Sequence, residues 1–190
     1  IERNFVDGNL SNAPVGKYGV MGSNGYTSSF FGMGDLFYAE AGIELSKKLT
    51  KDFKLSAMYM FQKYNKSVIE GEGGMIDSHI IVLDGKYQIS KTVTARMELQ
   101  YLNTQQDQGD WLYGLVEVSV LPYLMFTVAD MWNVGDTGIH YYQALVTGTY
   151  GSHRLQAGYV RTRAGYNCAG GVCRYIPATR GVQISYSFNF

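Results

Sequence analysis

The sequence predicts an all-β protein: an antiparallel up-and-down transmembrane β-barrel of about ten strands, or the C-terminal part of a larger barrel. Three observations predict this fold. Segments of about ten residues alternate strictly between apolar and polar side chains. Aromatic residues often close the apolar side of these segments. Short connections between the segments alternate with longer polar ones.

The alternation is clearest at the C-terminal end of the chain. From 182 to 190 every second residue is aliphatic or aromatic, and small polar residues stand between them. These apolar positions are Val182, Ile184, Tyr186, Phe188 and Phe190. An edge strand of a soluble β-sandwich can show the same pattern. Soluble strands are usually about five or six residues long, however, whereas about ten tilted residues cross a bilayer.

The same pattern recurs upstream and indicates the domain organisation. Alternating segments occupy 37–45, 53–61, 81–89, 93–101, 112–120, 142–150 and 155–159, and 124–133 is strand-like but ambiguous in its facing around Asp130. We expect one barrel domain or barrel fragment over 1–190, with a loop and a possible first strand in 1–34 and about nine strands in 35–190. Within the first part, 2–14 is predicted as a loop and 15–31 is the candidate for the first strand.

The connections between the predicted strands fall into two classes. Short links lie at 90–91, 121–123 and 151–152 with a moderate one at 47–52, whereas polar loops occupy 65–75, 105–110, 134–138 and 164–180. Short turns on one side and long loops on the other are typical of outer-membrane barrels. We therefore expect a bacterial outer-membrane location, with the short turns and Phe190 on the periplasmic side.

Composition narrows the classes of partner. The chain has 16 Lys and Arg and 16 Asp and Glu, so its formal net charge is zero, and nucleic acid is not expected because phosphate binding needs a basic excess. There is no N-terminal signal peptide, and no apolar run of about eighteen residues predicts a transmembrane helix. Because Ile1 is not Met, we expect a mature form or the ordered part of a longer protein. The expected partners are outer-membrane lipid, lipopolysaccharide and other outer-membrane proteins, with no cofactor.

Cys168 and Cys173 are the only cysteines in the chain. In an exported protein, two cysteines this close usually form a disulfide, and the glycines between them allow a tight loop. Half of a metal site is the alternative, but two thiolates without a nearby histidine do not complete a tetrahedral shell. The sequence predicts a Cys168–Cys173 disulfide and no metal.

Charged residues recur on the polar side of consecutive predicted strands. Asp84, Arg96 and Glu117 do so in the centre of the chain, and Glu44 and Lys54 do so in the first hairpin. We predict an ion-paired cluster in the barrel lumen, with Asp84 opposite Arg96 across a tight turn and Glu117 opposite Arg96 in one of two registers. A polar channel lining is the alternative interpretation, which a wider barrel would favour.

The three histidines raise the alternative of an enzyme. His79 and His140 fall at the predicted outer strand ends, with Asp77 and Asp136 near them in sequence, and the third is His153. A hydrolytic His/Asp pair at an outer rim is conceivable, but no serine nucleophile motif accompanies it. The Gly-rich stretch at 71–74 lacks the Lys-Ser/Thr of a phosphate loop. We expect no enzymatic activity.

The stretch from 163 to 190 carries a family resemblance. A loop of sequence Cys168-Ala-Gly-Gly-Val-Cys173 is followed by Arg174-Tyr175-Ile176-Pro177 and an aromatic-ended strand. This stretch resembles the end of an uncharacterised family of outer-membrane β-barrel proteins from Bacteroidota, which has no established function. The resemblance implies a longer parent chain. Phe190 also resembles the terminal aromatic signal that barrel-insertion machinery reads.

Three functions are compatible with these features. The first is a structural or binding barrel, such as a subunit of a larger outer-membrane complex. The second is a passive diffusion pore, and the third is a hydrolase active at the outer rim. The sequence favours the first over the pore, because we expect a barrel of about ten strands to have a packed, ion-paired interior. It favours the first over the hydrolase, because no serine nucleophile motif accompanies the histidines.

Overall fold

The computed structural model describes residues 2–6, 35–66, 73–169 and 172–189. The alternating segments form strands there, because extended backbone places successive side chains on opposite faces. The strands are β1 (Glu2–Val6), β2 (Asp35–Lys48), β3 (Phe53–Asn65), β4 (Met75–Gln88), β5 (Val93–Thr104), β6 (Trp111–Val120), β7 (Leu124–Asn133), β8 (His140–Tyr150), β9 (His153–Thr162), β10 (Gly165–Ala169), β11 (Val172–Ile176) and β12 (Thr179–Phe188). No helix within these ranges is both long and apolar enough to cross a membrane.

One ten-stranded sheet contains all strands except β10 and β11, which pair with each other. Its order is β1 to β9 followed by β12, and every neighbouring pair is antiparallel. The prediction of an all-β, antiparallel up-and-down fold is therefore confirmed. Within the described ranges β1 and β12 are the two edges and are not paired with each other, so closure into a barrel stays a proposal.

The N-terminal expectation needs one correction. Residues 2–14 were expected to form a loop, but Glu2–Val6 pairs with the first half of β2, from Glu40 to Asp35. The short stretch is rich in charge and lacks alternation, so its strand character comes from pairing with a distant segment. The candidate first strand at 15–31 lies outside the described residues.

Two further strands differ from the predicted pattern. β4 begins at Met75 and not near 81, because the cross-strand pairing with β3 continues to Asn65. The predicted loop at 164–180 contains the β10–β11 hairpin. Strand β7 runs through Asp130 without a bulge, and this residue lies opposite Gly114 and Tyr142.

Apolar side chains form one continuous surface across the sheet, which we call the apolar face. Because the strands pair in regular register, apolar residues of successive strands lie directly beside one another. One row of cross-strand partners consists of Met97, Val116, Val128, Ala144, Tyr159 and Val182. Another consists of Ile43, Tyr59, Ile81 and Tyr101. Most of these large apolar side chains are exposed.

The opposite surface, the polar face, contains the buried residues. The side chains that are almost fully buried are Ser78, Thr104, Thr127, Ala129, Asn133, Thr147 and Val160. Each lies on the same side of the sheet as Arg96, because the cross-strand register alternates the two faces. We infer that the sheet curves toward its polar face, which puts the apolar face on the convex side.

Ring contacts on the apolar face concentrate toward its two ends. At the end with the short turns, Phe53 packs against Tyr87 with ring centroids 6.4 Å apart, and Tyr123 stacks on Tyr150 at 6.3 Å. At the end with the long loops, further pairs join Phe61 to His79, Trp132 to His140, and Tyr142 to Tyr159. Leu83, Leu99, Val116 and Val146 lie between these two aromatic rims.

Candidate functional site

An ion-paired cluster lies on the polar face between β4 and β5. The Arg96 Nε atom donates a hydrogen bond to Asp84 Oδ2 at 2.6 Å, and a second guanidinium nitrogen contacts the Glu98 carboxylate. Asp84 and Glu98 are direct cross-strand partners, an arrangement that is destabilising for two like charges. Because a guanidinium is a planar fork of donors, Arg96 can bridge and neutralise both acids.

The register differs in part from the predicted one. Asp84 was expected opposite Arg96, but its partner is Glu98, and Arg96 is paired with Lys86. The turn is longer than expected: Ile89 N and Ser90 N both bond to Val93 O, at 2.9 and 3.1 Å. This shifts the register, and the contact between Asp84 and Arg96 is diagonal.

The other three predicted members of the cluster have different cross-strand partners, and only Glu117 is paired with Arg96. Glu117 is the cross-strand partner of Arg96, the first of the two registers considered, but the ion pairs among the described residues do not include it. Glu44 lies opposite Met58, whereas Lys54 lies between two other lysines. The structure does not bring Glu44 and Lys54 together.

A cavity of about 420 Å³ opens on the polar face toward the long loops. Its wall combines amides with aromatic rings, including Gln62, Gln100, Trp111 and Tyr113. The Arg163 guanidinium carbon lies 5.1 Å from the centroid of the Trp111 ring. A second cavity of about 280 Å³ shares Tyr113 and Arg163 with the first. This mixture of rings and amides suits a small amphipathic ligand.

The side chain of Asn133 and the backbone of Asp110 join the loops around these cavities. Asn133 is fully buried; its Nδ2 donates to Gln108 O at 2.8 Å, and its Oδ1 accepts from Thr137 N at 2.6 Å and from Asp136 N at 3.1 Å. The backbone of Asp110 accepts from Val134 N and from Gly135 N. A Cβ at Gly135 would lie 2.2 Å from Asp110 N, so only glycine fits this close approach.

The side chain of Asp110 fixes the end of β5. Its carboxylate accepts hydrogen bonds from the Tyr101 hydroxyl, from Thr104 N at 2.9 Å, and from Asn103 Nδ2 at 3.0 Å. The hydrogen bond from Tyr101, followed by that from the Thr104 amide, lowers the pKa of Asp110 below its ordinary value.

The histidines lie on the apolar face, and their partners are not the predicted ones. His140 Nδ1 is 2.6 Å from Asp130 Oδ2, and its ring stacks on Trp132 with an interplanar angle of 10°. The ion pairs of the described residues join neither Asp77 nor Asp136 to a histidine, and Asp77 pairs with Lys63. Among the hydrogen bonds of the described residues, His140 Nδ1 is joined to Asp130 and no serine or threonine hydroxyl is joined to the His140 ring.

Two predicted sites fall in or next to parts of the chain that the structure leaves undescribed. Cys168 and Cys173 are cross-strand partners in the β10–β11 hairpin, but their side chains lie outside the described set, and the disulfide stays a prediction. Phe190 also lies outside the described residues. Within the described ranges, no group of three or more His, Cys, Asp or Glu is arranged to hold a metal ion.

The sequence reasoning missed several residues. Glu98 shares the strand and face of Arg96, so the alternation alone could have placed it in the cluster. The Asp130–His140 pair joins two strands. It could not be predicted from the alternation, because Asp130 is a charged residue on the same side of β7 as apolar side chains. No sequence signal marks Asn133 as a loop anchor, since its partners come from two different loops.

The geometry defines a class of protein: a single up-and-down β-sheet with an exposed apolar face and a charged polar face. The chain belongs to a family of unknown function, DUF6029, whose model matches residues 6–190. Comparisons with curated proteins and with solved structures found no match. The resemblance of the C-terminal loop to Bacteroidota outer-membrane barrels stays a prediction.

Proposed function

We propose that this chain is an integral outer-membrane β-barrel, or part of one, with a structural or binding role. The observation that carries the proposal is the inverted distribution of polarity in the sheet. Aliphatic residues of the apolar face are exposed, whereas the buried residues lie on the polar face. A half-buried antiparallel sheet in water turns its apolar side toward the core, and large exposed apolar surfaces mark contacts with membranes or proteins.

The dimensions of the apolar face support a bilayer as its environment. Along β4, His79 belongs to the rim at the loop end and Tyr87 to the rim at the turn end. Eight residues at about 3.3 Å each span roughly 26 Å, and a tilt of about 40° reduces this to roughly 20 Å. The apolar band of outer-membrane barrels is about 25 Å tall and is bordered by aromatic girdles.

The strand directions are compatible with closure. Ten strands alternate in direction through the sheet, so β1 and β12 run antiparallel and could pair with each other. A membrane environment requires such pairing, because lipid cannot satisfy the backbone groups of a free edge. Closure of the described strands, or completion by additional strands, is thus part of the proposal.

A binding or structural role is favoured over a passive pore. The interior of a barrel of about this size is narrow enough for side chains to fill it. Here the polar face carries the Arg96 cluster and the cavity lined by Trp111 and Gln100. A diffusion pore is the second candidate, favoured by the charged side chains on the same face. Conductance steps in a planar bilayer would support the pore.

The two tryptophans allow a direct test, since the chain contains Trp111 on the polar face and Trp132 on the apolar face. Single-tryptophan variants Trp111→Phe and Trp132→Phe are folded into vesicles with and without brominated lipid. We expect strong quenching of Trp132, which lipid contacts, and weak quenching of Trp111. Equal quenching, or a chain that folds as a soluble monomer without detergent, would overturn the membrane proposal.

A further inference from the structure

Three lysines lie side by side on the polar face at the end with the short turns. Lys48 of β2 is the cross-strand partner of Lys54, and Lys54 is the partner of Lys86 in β4. All three are exposed. Because neighbouring strands are about 4.8 Å apart, the outer two Cα atoms are only about 10 Å apart. We call these residues the lysine row.

Like charges in direct cross-strand positions repel and destabilise a sheet. Of the acids near the row, Asp84 and Glu98 both contact Arg96, whereas Asp52, two residues before Lys54, is exposed at the end of the turn. Among the ion pairs of the described residues, none involves a member of the lysine row.

Other lysines of the sheet behave differently. Lys63 pairs with Asp77 at 3.3 Å, and Lys66 pairs with Asp107 at 2.6 Å. Lys63 lies on the apolar face and Lys66 follows β3 at the end with the long loops. Both have carboxylate partners, whereas the ion pairs of the described residues give none to the lysine row.

Hydroxyl groups border the lysine row on the same face. Ser46 and Ser56 are cross-strand partners one step further along β2 and β3, and their Oγ atoms are 2.9 Å apart. Ammonium and hydroxyl groups are both donors. Ser56 donates its hydroxyl proton to Ser46, so the Ser46 hydroxyl and the three ammonium groups are the donors that suit the oxygens of a phosphate group.

We propose that the lysine row, with Ser46 and Ser56, binds a soluble anion that carries several negative charges, of the phosphate-bearing class. Lysine binds phosphate as a point charge, and three adjacent ammonium groups favour a multivalent anion over a monovalent one. The proposal does not depend on the membrane proposal, because it concerns the polar face alone.

The test measures binding of tripolyphosphate by isothermal titration calorimetry, with the full chain folded in zwitterionic detergent at low salt. The variant Lys48→Gln/Lys54→Gln/Lys86→Gln is compared with Lys47→Gln/Lys51→Gln/Lys91→Gln. Both variants lose three charges at the same end of the sheet, but Lys47 lies on the apolar face and the other two control lysines lie in turns.

We expect the parent chain and the control variant to bind within about twofold of each other, and the row variant to bind about tenfold more weakly. Equal weakening in both variants would mean that net charge alone attracts the anion, and absence of saturable binding to the parent would also overturn the proposal. Lys54→Gln, the central substitution alone, repeats the test with less change to the fold.

Vesicles containing phosphatidylglycerol form a second arm of the test. If the row variant lost affinity only for these vesicles and not for tripolyphosphate, the soluble anion would be ruled out.

Discussion

The two faces of strand β7 are made by adjacent residues and have opposite surroundings. Val128 on the apolar face is 59% exposed, whereas Thr127 and Ala129 beside it on the polar face are 7% and 3% exposed. Burial in this sheet thus follows the side of the strand and not the hydrophobicity of the residue. The comparison shows that the two faces have different surroundings within the structure.

The faces also differ in what holds their side chains. On the polar face, Gln156 Nε2 donates to Thr147 Oγ1 at 3.1 Å, and Arg96 bridges Asp84 and Glu98. Specific bonds of this kind satisfy buried polar groups. The aliphatic side chains of the apolar face cannot make such bonds, and they would be stabilised by removal from water.

The largest effect is expected from a charge in the middle of the apolar face. Leu99→Arg should cost about 2–4 kcal/mol of folding free energy in a bilayer, or block insertion, because a cation would replace an aliphatic side chain near mid-membrane. Unfolding by urea in lipid vesicles measures the difference. Gln100→Arg, the neighbouring position on the polar face, is the matched control and should cost much less. An equal loss of folding free energy in the two variants would contradict the assignment of one face to lipid and the other to the interior.

A smaller loss is expected from the buried loop anchor on the polar face. Asn133→Ala removes the hydrogen bonds to Gln108 O and Thr137 N and leaves buried backbone groups unsatisfied, at a cost of about 1–3 kcal/mol. Chemical denaturation measures this loss. Gln105→Ala, at an exposed position in the same loop as Gln108, is the control. A variant as stable as the parent would mean that the loops do not depend on this residue.

The Arg96 cluster allows a third comparison within the polar face. Arg96→Leu leaves Asp84 and Glu98 opposite each other without a cation, which should cost about 1–2 kcal/mol. Lys54→Leu should be neutral or slightly stabilising, because it reduces repulsion within the lysine row. The same denaturation measurement checks both substitutions. If Lys54→Leu proved the more costly change, the cluster would not have the role assigned to it.

The smallest effect concerns pH. The folded pKa of Asp110 lies below the unfolded value of about 3.9, so its stabilisation is complete above the unfolded pKa and is lost as pH falls through the folded pKa. Asp110→Asn should therefore be less stable than the parent near pH 7, and the difference should shrink as pH falls below about 4. Denaturation midpoints of Asp110→Asn and of the parent, measured from pH 7 to below about pH 4, test this pH dependence of the stability difference. A pH-independent difference would contradict the assignment.

Several features could be predicted from the sequence because they depend on the local backbone. The period of two in a strand assigns Leu83 and Leu99 to one face wherever their partners lie. The pairing register of neighbouring strands was harder to predict, since it depends on turn geometry. The longer turn before Val93 places Asp84 opposite Glu98 and not opposite Arg96.

Long-range contacts account for the rest. The pairing of Glu2–Val6 with β2 and the pairing of Asp130 with His140 join segments that give no local sign of each other. The lysine row is of the same kind, because three strands must be aligned before Lys48, Lys54 and Lys86 become neighbours.

The order of the strands has a consequence for how the chain folds. From β1 to β9 each strand pairs with the next one along the chain, so loop closure within β2–β9 is short and entropically cheap. The joints of the two edge strands are the exceptions, since 28 residues, from 7 to 34, separate β1 from β2, and sixteen residues, from 163 to 178, separate β9 from β12. Closing either segment costs about 2 kcal/mol more than closing a two-residue turn. Successive hairpins can therefore form in order along β2–β9, and we expect the two edge strands, β1 and β12, to join the sheet after them.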